Sequence, residues 1–386
     1  LVLILTITFF LLFVGDLFLR DYADTLKNSQ STNKSVHRSK LPLEYYEINQ
    51  DELWKDNELM FEQGFNKAKF HPYYHYKSSQ VTTRYFNIDE KGLRKTIKAP
   101  KEDAKKIFMF GGSTLWGLGV ADKYTIPSIM SEKLGKSFDI TNFGEGSFVS
   151  GQELNLLLDQ ISKGNIPDAV IFYDGVNDSY AGTYSPGIPG TLTQHLEMEK
   201  VYKSLQGGDN LINGFSFIRA YIREKLRKIS YWKIASYLKN KYRNLSDHTL
   251  VSQENINFEI DVKAEKVINI YAHRIKQIKA ISKEYDFKAY FFWQPYLMSN
   301  IKKPVTFEQK IVDSKPPKLI KGITRAYDFA RTHFEGQEAG NIYFIADIFK
   351  DVEHPVYMDD CHVDARGNKI IASKIIALLH EKLGQL

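Results

Sequence analysis

The chain has 386 residues, 43% of them apolar and 13% aromatic, with a quarter charged, a composition that supports a packed core and excludes a wholly disordered chain. Net charge is +6, mildly basic and spread along the chain, which does not point to nucleic acid as a partner. The single cysteine, Cys361, excludes an intramolecular disulfide and a cysteine-based zinc site.

In chain order, the first segment is LVLILTITFFLLFVG, fifteen residues without a charge, apolar on nearly every side apart from Thr6 and Thr8. It is read as a transmembrane anchor over residues 1–19, begun before the first residue given, since a span takes about 20 apolar residues and no small-residue cleavage site follows. Residues 20–104 are read as a tether and an N-terminal extension. KNSQSTNKSVHRSK is polar and linker-like, and YYHYKSSQVTTRYFNIDEKGLRKT suggests short strands with a turn at DEKG. His71 and His75, in this aromatic stretch, are read as packing residues.

From residue 105 the pattern becomes regular. Short runs rich in Ile, Val, Phe and Tyr end at Phe110, Phe143, Asp174, Gln294 and Asp347. Helical stretches lie between them: TIPSIMSEKLG with a glycine stop, GQELNLLLDQISKG with a stripe at Leu154, Leu157, Leu158 and Ile161, KAEKVINIYAHRIKQIKAISKEY, and the closing GNKIIASKIIALLHEKLG. Alternating strands and helices predict an α/β domain over 105–386 with a parallel sheet covered on both faces. The third and fourth strands are too far apart for one crossover, so about 180–260 is read as a helical insertion. Between Arg219 and Arg243 it carries nine Lys/Arg and one acid, Glu224. Its apolar stripe at Ile222, Leu226, Ile229, Trp232, Ala235 and Leu238 fits a surface helix with a cationic side, or one that faces a membrane or polyanion.

In a parallel α/β sheet, ligands sit beyond the carboxyl ends of the strands. The unusual residues fall there: Ser113 in GGST after the first strand, GEGS (Gly144–Ser147) after the second, Asn177 in GVND after the third, and Asp359 and His362 in DDCH after the fifth. A serine becomes a nucleophile when a neighbouring base takes its proton; histidine is the usual base, and a carboxylate orients it. An acyl-transfer intermediate also needs donors at its oxyanion. Candidates are the N–H groups of Ser113 and of the Gly144–Ser147 turn, and the amide of Asn177. Taken alone, Ser113 would be a helix cap, Asn177 a turn residue and His362 a surface histidine. Asp174, Asp178 and Asp360 are read as structural, with Asp360 a competitor for the acid role, and Cys361 receives no role. Phosphate binding by FMFGGSTLWGLGV is disfavoured, because no GK[ST] follows and G-x-G-x-x-G is not matched.

These blocks resemble the SGNH-hydrolase superfamily, the GDSL-like esterases and acetylesterases. FMFGGSTLWG resembles its first block, with Gly-Gly-Ser for Gly-Asp-Ser as in a membrane-linked subset; NFGEGSFVSGQEL resembles the second, FYDGVNDS the third and DDCHVDARGN the last. The resemblance runs from about Lys105 to the C-terminus, without the insertion. It implies a three-layer α/β/α sandwich with a five-stranded parallel sheet, flavodoxin-like in arrangement. It assigns Ser113 as nucleophile, His362 as base, Asp359 as its orienting acid, and Ser113, Asn177 and either Gly146 or Ser147 as oxyanion donors, the family's usual glycine falling at Ser147. It implies carboxyl-ester hydrolysis with no metal and no cofactor, on an ester-bearing small molecule or an acetylated cell-surface polysaccharide, by an anchored domain on the extracytoplasmic side. An O-acyltransferase using the same acyl-enzyme and an inactive scaffold binding glycan or protein are the alternatives.

Overall fold

The computed structural model describes residues 50–206 and 253–386. The anchor run and the basic segment 219–243 lie outside the described residues. No helix among those described is long and apolar enough to cross a membrane. The chain divides into two compact units, Leu1–Arg38 with Leu196–Ile256, and Ser39–His195 with Asn257–Leu386. Everything below concerns the second.

Its N-terminal part opens with helix α1 (Gln50–Leu59) and a π-helical turn (Met60–Phe65). Two small antiparallel pairs follow, β1 (Lys69–His71) with β2 (His75–Lys77), and β3 (Val81–Thr82) with β4 (Asn87–Ile88). The DEKG turn forms as expected: Gly92 donates to Asp89 O at 3.0 Å and takes φ +77, which glycine adopts without strain. His71 stacks on Tyr74 with centroids 3.6 Å apart, a packing role.

The sheet is built from β5 (Lys105–Gly111), β6 (Phe138–Asn142), β7 (Ala169–Asp174), β8 (Lys288–Trp293) and β9 (Ile342–Phe344), in the order β6-β5-β7-β8-β9, all parallel. This is the doubly wound order whose switch point lies between its first and third strands, here β5 and β7. The central strands are buried on both faces, so their sequences read as continuous apolar runs rather than alternating ones. Phe143, Phe110, Phe172 and Phe291 form a stacked row across the sheet, with centroids 5.2, 5.0 and 5.5 Å apart. The row fixes the register that brings the strand ends level.

Helices α3 (Ile126–Leu134) and α10 (Ala365–Leu383) pack together on one side of the sheet. The others are α4 (Ser150–Ser162), α5 (Val176–Thr183), α7 (Gln253–Glu284), α8 (Thr306–Asp313) and α9 (Pro317–Phe334), with α6 (His195–Gln206) between α5 and α7 and the short turn α2 (Ser113–Trp116) after β5. The three-layer arrangement expected from sequence is therefore present. Two details differ. Helix α7 starts at Gln253, so the insertion ends earlier than about 260. In α4 the buried face holds Gln152, Glu153, Leu156, Leu157 and Ile161, while Leu158 is exposed. A stripe drawn through apolar residues alone misplaces that face, because Glu153 is turned inward.

Candidate active site

Each site residue leaves the carboxyl end of a strand. Strand β5 ends at Gly111, and Gly112 lies between it and the first turn of α2, which Ser113 begins. As the first residue of a helix, Ser113 has an N–H with no acceptor inside that helix. A Cβ on Gly111 would meet Tyr173 O at 2.8 Å, and one on Gly112 would meet Asn177 Nδ2 at 2.3 Å. The absence of Asp before the serine is thus a packing matter: the Asn177 amide occupies the space a side chain at 112 would take.

The loop before α10 brings the other half. His362 Nε2 lies 2.7 Å from Ser113 Oγ, and its Nδ1 lies 2.7 and 2.9 Å from the two Asp359 oxygens. Asp359 also accepts the backbone N–H groups of His362 (2.7 Å) and Cys361 (3.0 Å). Burial pushes the Asp359 carboxyl up, but the facing His362 charge and these hydrogen bonds outweigh it and hold Asp359 well below the usual carboxylate range. It is therefore an anion whose acceptors are directed at the imidazole.

Asp360 does not compete for that place. Its carboxylate pairs with Lys315 Nζ at 2.8 Å and accepts Tyr296 OH at 3.2 Å, facing away from the ring. Deeper in, Glu308 is buried, pairs with Lys302 at 2.6 Å and accepts the N–H groups of Val356 and Tyr357. Met358 N–H donates to His362 O at 2.8 Å, closing the loop on itself. Cys361 Sγ lies 3.4 Å from His362 Nδ1. Asp359, Cys361 and His362 have their ligand atoms close enough to hold a metal ion, but Nδ1 already faces Asp359, the arrangement of a base and its orienting acid.

The donors come from the two strands flanking the nucleophile. After β7, Asn177 Nδ2 donates to Phe148 O at 2.7 Å, which holds the amide beside Gly112. After β6, the GEGS turn is ordered residue by residue. Gly146 N–H donates to Glu145 Oε1 at 3.1 Å, so it is taken. Ser147 sits at φ +61, the left-handed region where glycine is at ease, and among the described residues its N–H has no acceptor. Ser147, not Gly146, keeps a free donor.

Behind the site lies a buried acid pair. Asp174, at the end of β7, accepts Tyr271 OH at 2.8 Å, and neither Glu153 oxygen meets a donor among the described residues. Burial pushes Asp174 up to about 7, and burial with the adjacent Asp174 charge pushes Glu153 well above its ordinary value. This is the pattern of a protonated Glu153 donating to Asp174. Asp178 is engaged separately, by Ser150 Oγ at 2.5 Å and Arg274 at 3.1 Å.

Sequence reasoning missed several supports. Thr114 Oγ1 donates to Gln294 Oε1 at 2.6 Å, tying the nucleophile turn to the end of β8. Glu145 is buried and bound to Lys77 and Ser78. The only signal for it was an acid enclosed by glycines in GEGS.

No family model matches this chain, and no curated protein does. Solved structures that it resembles include a carbohydrate acetylesterase family member from Sinorhizobium meliloti (12% identity, 72% of this chain and 99% of that one, TM-score 0.38). Others are a lipolytic protein of the G-D-S-L family from Veillonella parvula (12%, 71% and 97%, TM-score 0.37) and a lipase from a goat rumen metagenome (13%, 71% and 97%, TM-score 0.39). Identity and TM-score are low throughout, and the reading of the site rests on its own geometry.

Proposed function

We propose that this chain is a serine esterase of the SGNH type. The observation that carries the reading is the unbroken relay from Ser113 Oγ through His362 to Asp359, with each link at 2.7 Å, at the switch point of a parallel sheet. His362 Nε2 takes the Ser113 proton as Oγ attacks an ester carbonyl carbon. The carbonyl π electrons move onto oxygen, and that oxyanion is met by the Ser113 and Ser147 N–H groups and the Asn177 amide. His362 then gives its proton to the departing alkoxide, leaving Ser113 acylated. A water molecule, deprotonated by the same nitrogen, attacks the acyl carbon and frees the acid. Asp359 keeps Nδ1 protonated throughout and stabilises the imidazolium, with no proton of its own to exchange.

The substrate class we favour is a short acyl ester such as an O-acetyl group. The uncharged run at 1–15 supports a domain held at a membrane surface, on the extracytoplasmic side. The test is hydrolysis of p-nitrophenyl acetate. Wild-type protein should turn it over, and Ser113→Ala should lower kcat by at least about 10³-fold with an unchanged fold. A Ser113→Ala protein with wild-type turnover would overturn the reading.

A further inference from the structure

The GEGS turn does not hold its shape alone. Glu145 is fully buried. Its Oε2 accepts Ser78 N–H at 2.9 Å and lies 3.3 Å from Lys77 Nζ, while its Oε1 accepts Ser78 Oγ–H at 2.5 Å and Gly146 N–H at 3.1 Å. Next to it, the Tyr76 hydroxyl donates to Gly146 O. Burial pushes the Tyr76 phenol far above its ordinary value, so it stays a donor. The Phe65 ring closes against Gly146, where an added Cβ would sit 2.5 Å from it.

These contacts act on one peptide unit. The bond between Gly146 and Ser147 is planar and trans, so the Gly146 carbonyl and the Ser147 N–H point in opposite directions. Tyr76 holds the carbonyl on one side, and the N–H is thereby turned to the other. Glu145 removes the competing Gly146 N–H and fixes the residue before it. Glu145 N–H also donates to Gly111 O at 3.0 Å, at the end of the nucleophile's strand. Phe148 O, two residues beyond Gly146, holds Asn177. The turn is therefore registered to the nucleophile and to the second donor at once.

We propose that Tyr76 and Glu145 are positioning residues for the oxyanion donor Ser147, with Lys77 and Ser78 as the clamp on Glu145. The N-terminal strand pair then supplies a working part of the site rather than an appendage. This rests on the esterase reading above. It names a role that the family blocks do not contain, since Tyr76, Lys77 and Ser78 lie before the region of resemblance.

A displaced donor weakens transition-state binding more than substrate binding, so kcat should fall while KM holds. The experiment uses the full chain, p-nitrophenyl acetate as substrate and phenylboronic acid as the tetrahedral mimic. Tyr76→Phe is expected to lower kcat about tenfold and Glu145→Gln about tenfold to a hundredfold, with KM within about twofold. In each, the inhibition constant for the boronic acid should rise by the same factor as kcat/KM falls. A variant that shifts only the thermal midpoint, or that loses kcat with unchanged boronic acid affinity, assigns these residues a structural role and overturns the proposal. If Glu145→Gln does not fold, Tyr76→Phe decides by the same two numbers. An active wild type with an unaffected Tyr76→Phe counts against the positioning role alone. A wild type that neither hydrolyses the ester nor binds the boronic acid overturns both readings.

Discussion

At the residue scale, the site depends on where backbone atoms point as much as on which side chains are present. Ser147 shows this. It occupies a left-handed conformation, and its part in the site is its N–H. Ser147→Gly should therefore keep kcat/KM within about threefold, since glycine adopts that conformation freely. A loss above about tenfold would show that the hydroxyl takes part. Gly112 makes the opposite case. Gly112→Asp would bring the first block closer to the family pattern, yet its Cβ would fall 2.3 Å from Asn177 Nδ2. The amide must move away, and kcat for an aryl acetate should drop by about 10²-fold while the thermal midpoint shifts little. Equal or higher activity would contradict this arrangement. Ser113, Asn177, Asp359 and His362 were legible in the sequence because chemistry restricts which residue types serve and because all followed strand ends. The choice between Gly146 and Ser147 was not legible, because a backbone N–H leaves no trace in residue type.

At the scale of elements, the five strands were readable from their apolar runs, and the helices from their spacing. Helix α4 is the exception. Its inward face includes Glu153, a residue that a hydropathy pattern assigns to solvent. The reason is Asp174, a partner remote in sequence, with which Glu153 shares a proton in a buried space. That pair has a thermodynamic consequence. In the unfolded chain both carboxyls ionise near pH 4, whereas in the folded chain Asp174 retains its proton up to about 7. The folded state thus binds more protons between these values, and stability contributed by the pair falls as pH rises from about 4 to about 7. Asp359 works in the other direction and in another window. Its lowered value stabilises the fold above the ordinary carboxylate range and is lost as pH falls below it. Glu153→Gln should flatten the decline between pH 4.5 and 7.5, seen as a smaller change in thermal midpoint than in wild type. Parallel curves for the two proteins would remove the acid pair as the cause.

At the scale of the whole molecule, the N-terminal strands and the sheet domain share buried contacts. Arg94 is fully buried; its Nε meets Asp122 at 2.8 Å, and its guanidinium also donates to Val120 O and Gly117 O. Together with Lys77 and Glu145, this gives two buried ion pairs across the same junction. Leu53, Met60, Val81, Phe86 and Ile88 pack there against Trp116 and Leu118, so LWGLG is a wall covered by the extension. Removing one member of a buried pair strands the other, and Arg94→Met should cost about 3–5 kcal/mol in denaturant unfolding. A loss under 1 kcal/mol would show that the junction is not held by this pair. The sequence suggested strands here but not their docking, because ion pairs between distant segments have no local signature. The central claim remains the nucleophile. The most direct measurement is labelling of the intact protein with a fluorophosphonate, followed by mapping of the modified peptide. The account predicts one phosphonylated residue, Ser113, with labelling lost in Ser113→Ala and strongly slowed in His362→Ala. Labelling at another residue, or none on folded wild-type protein, would contradict it.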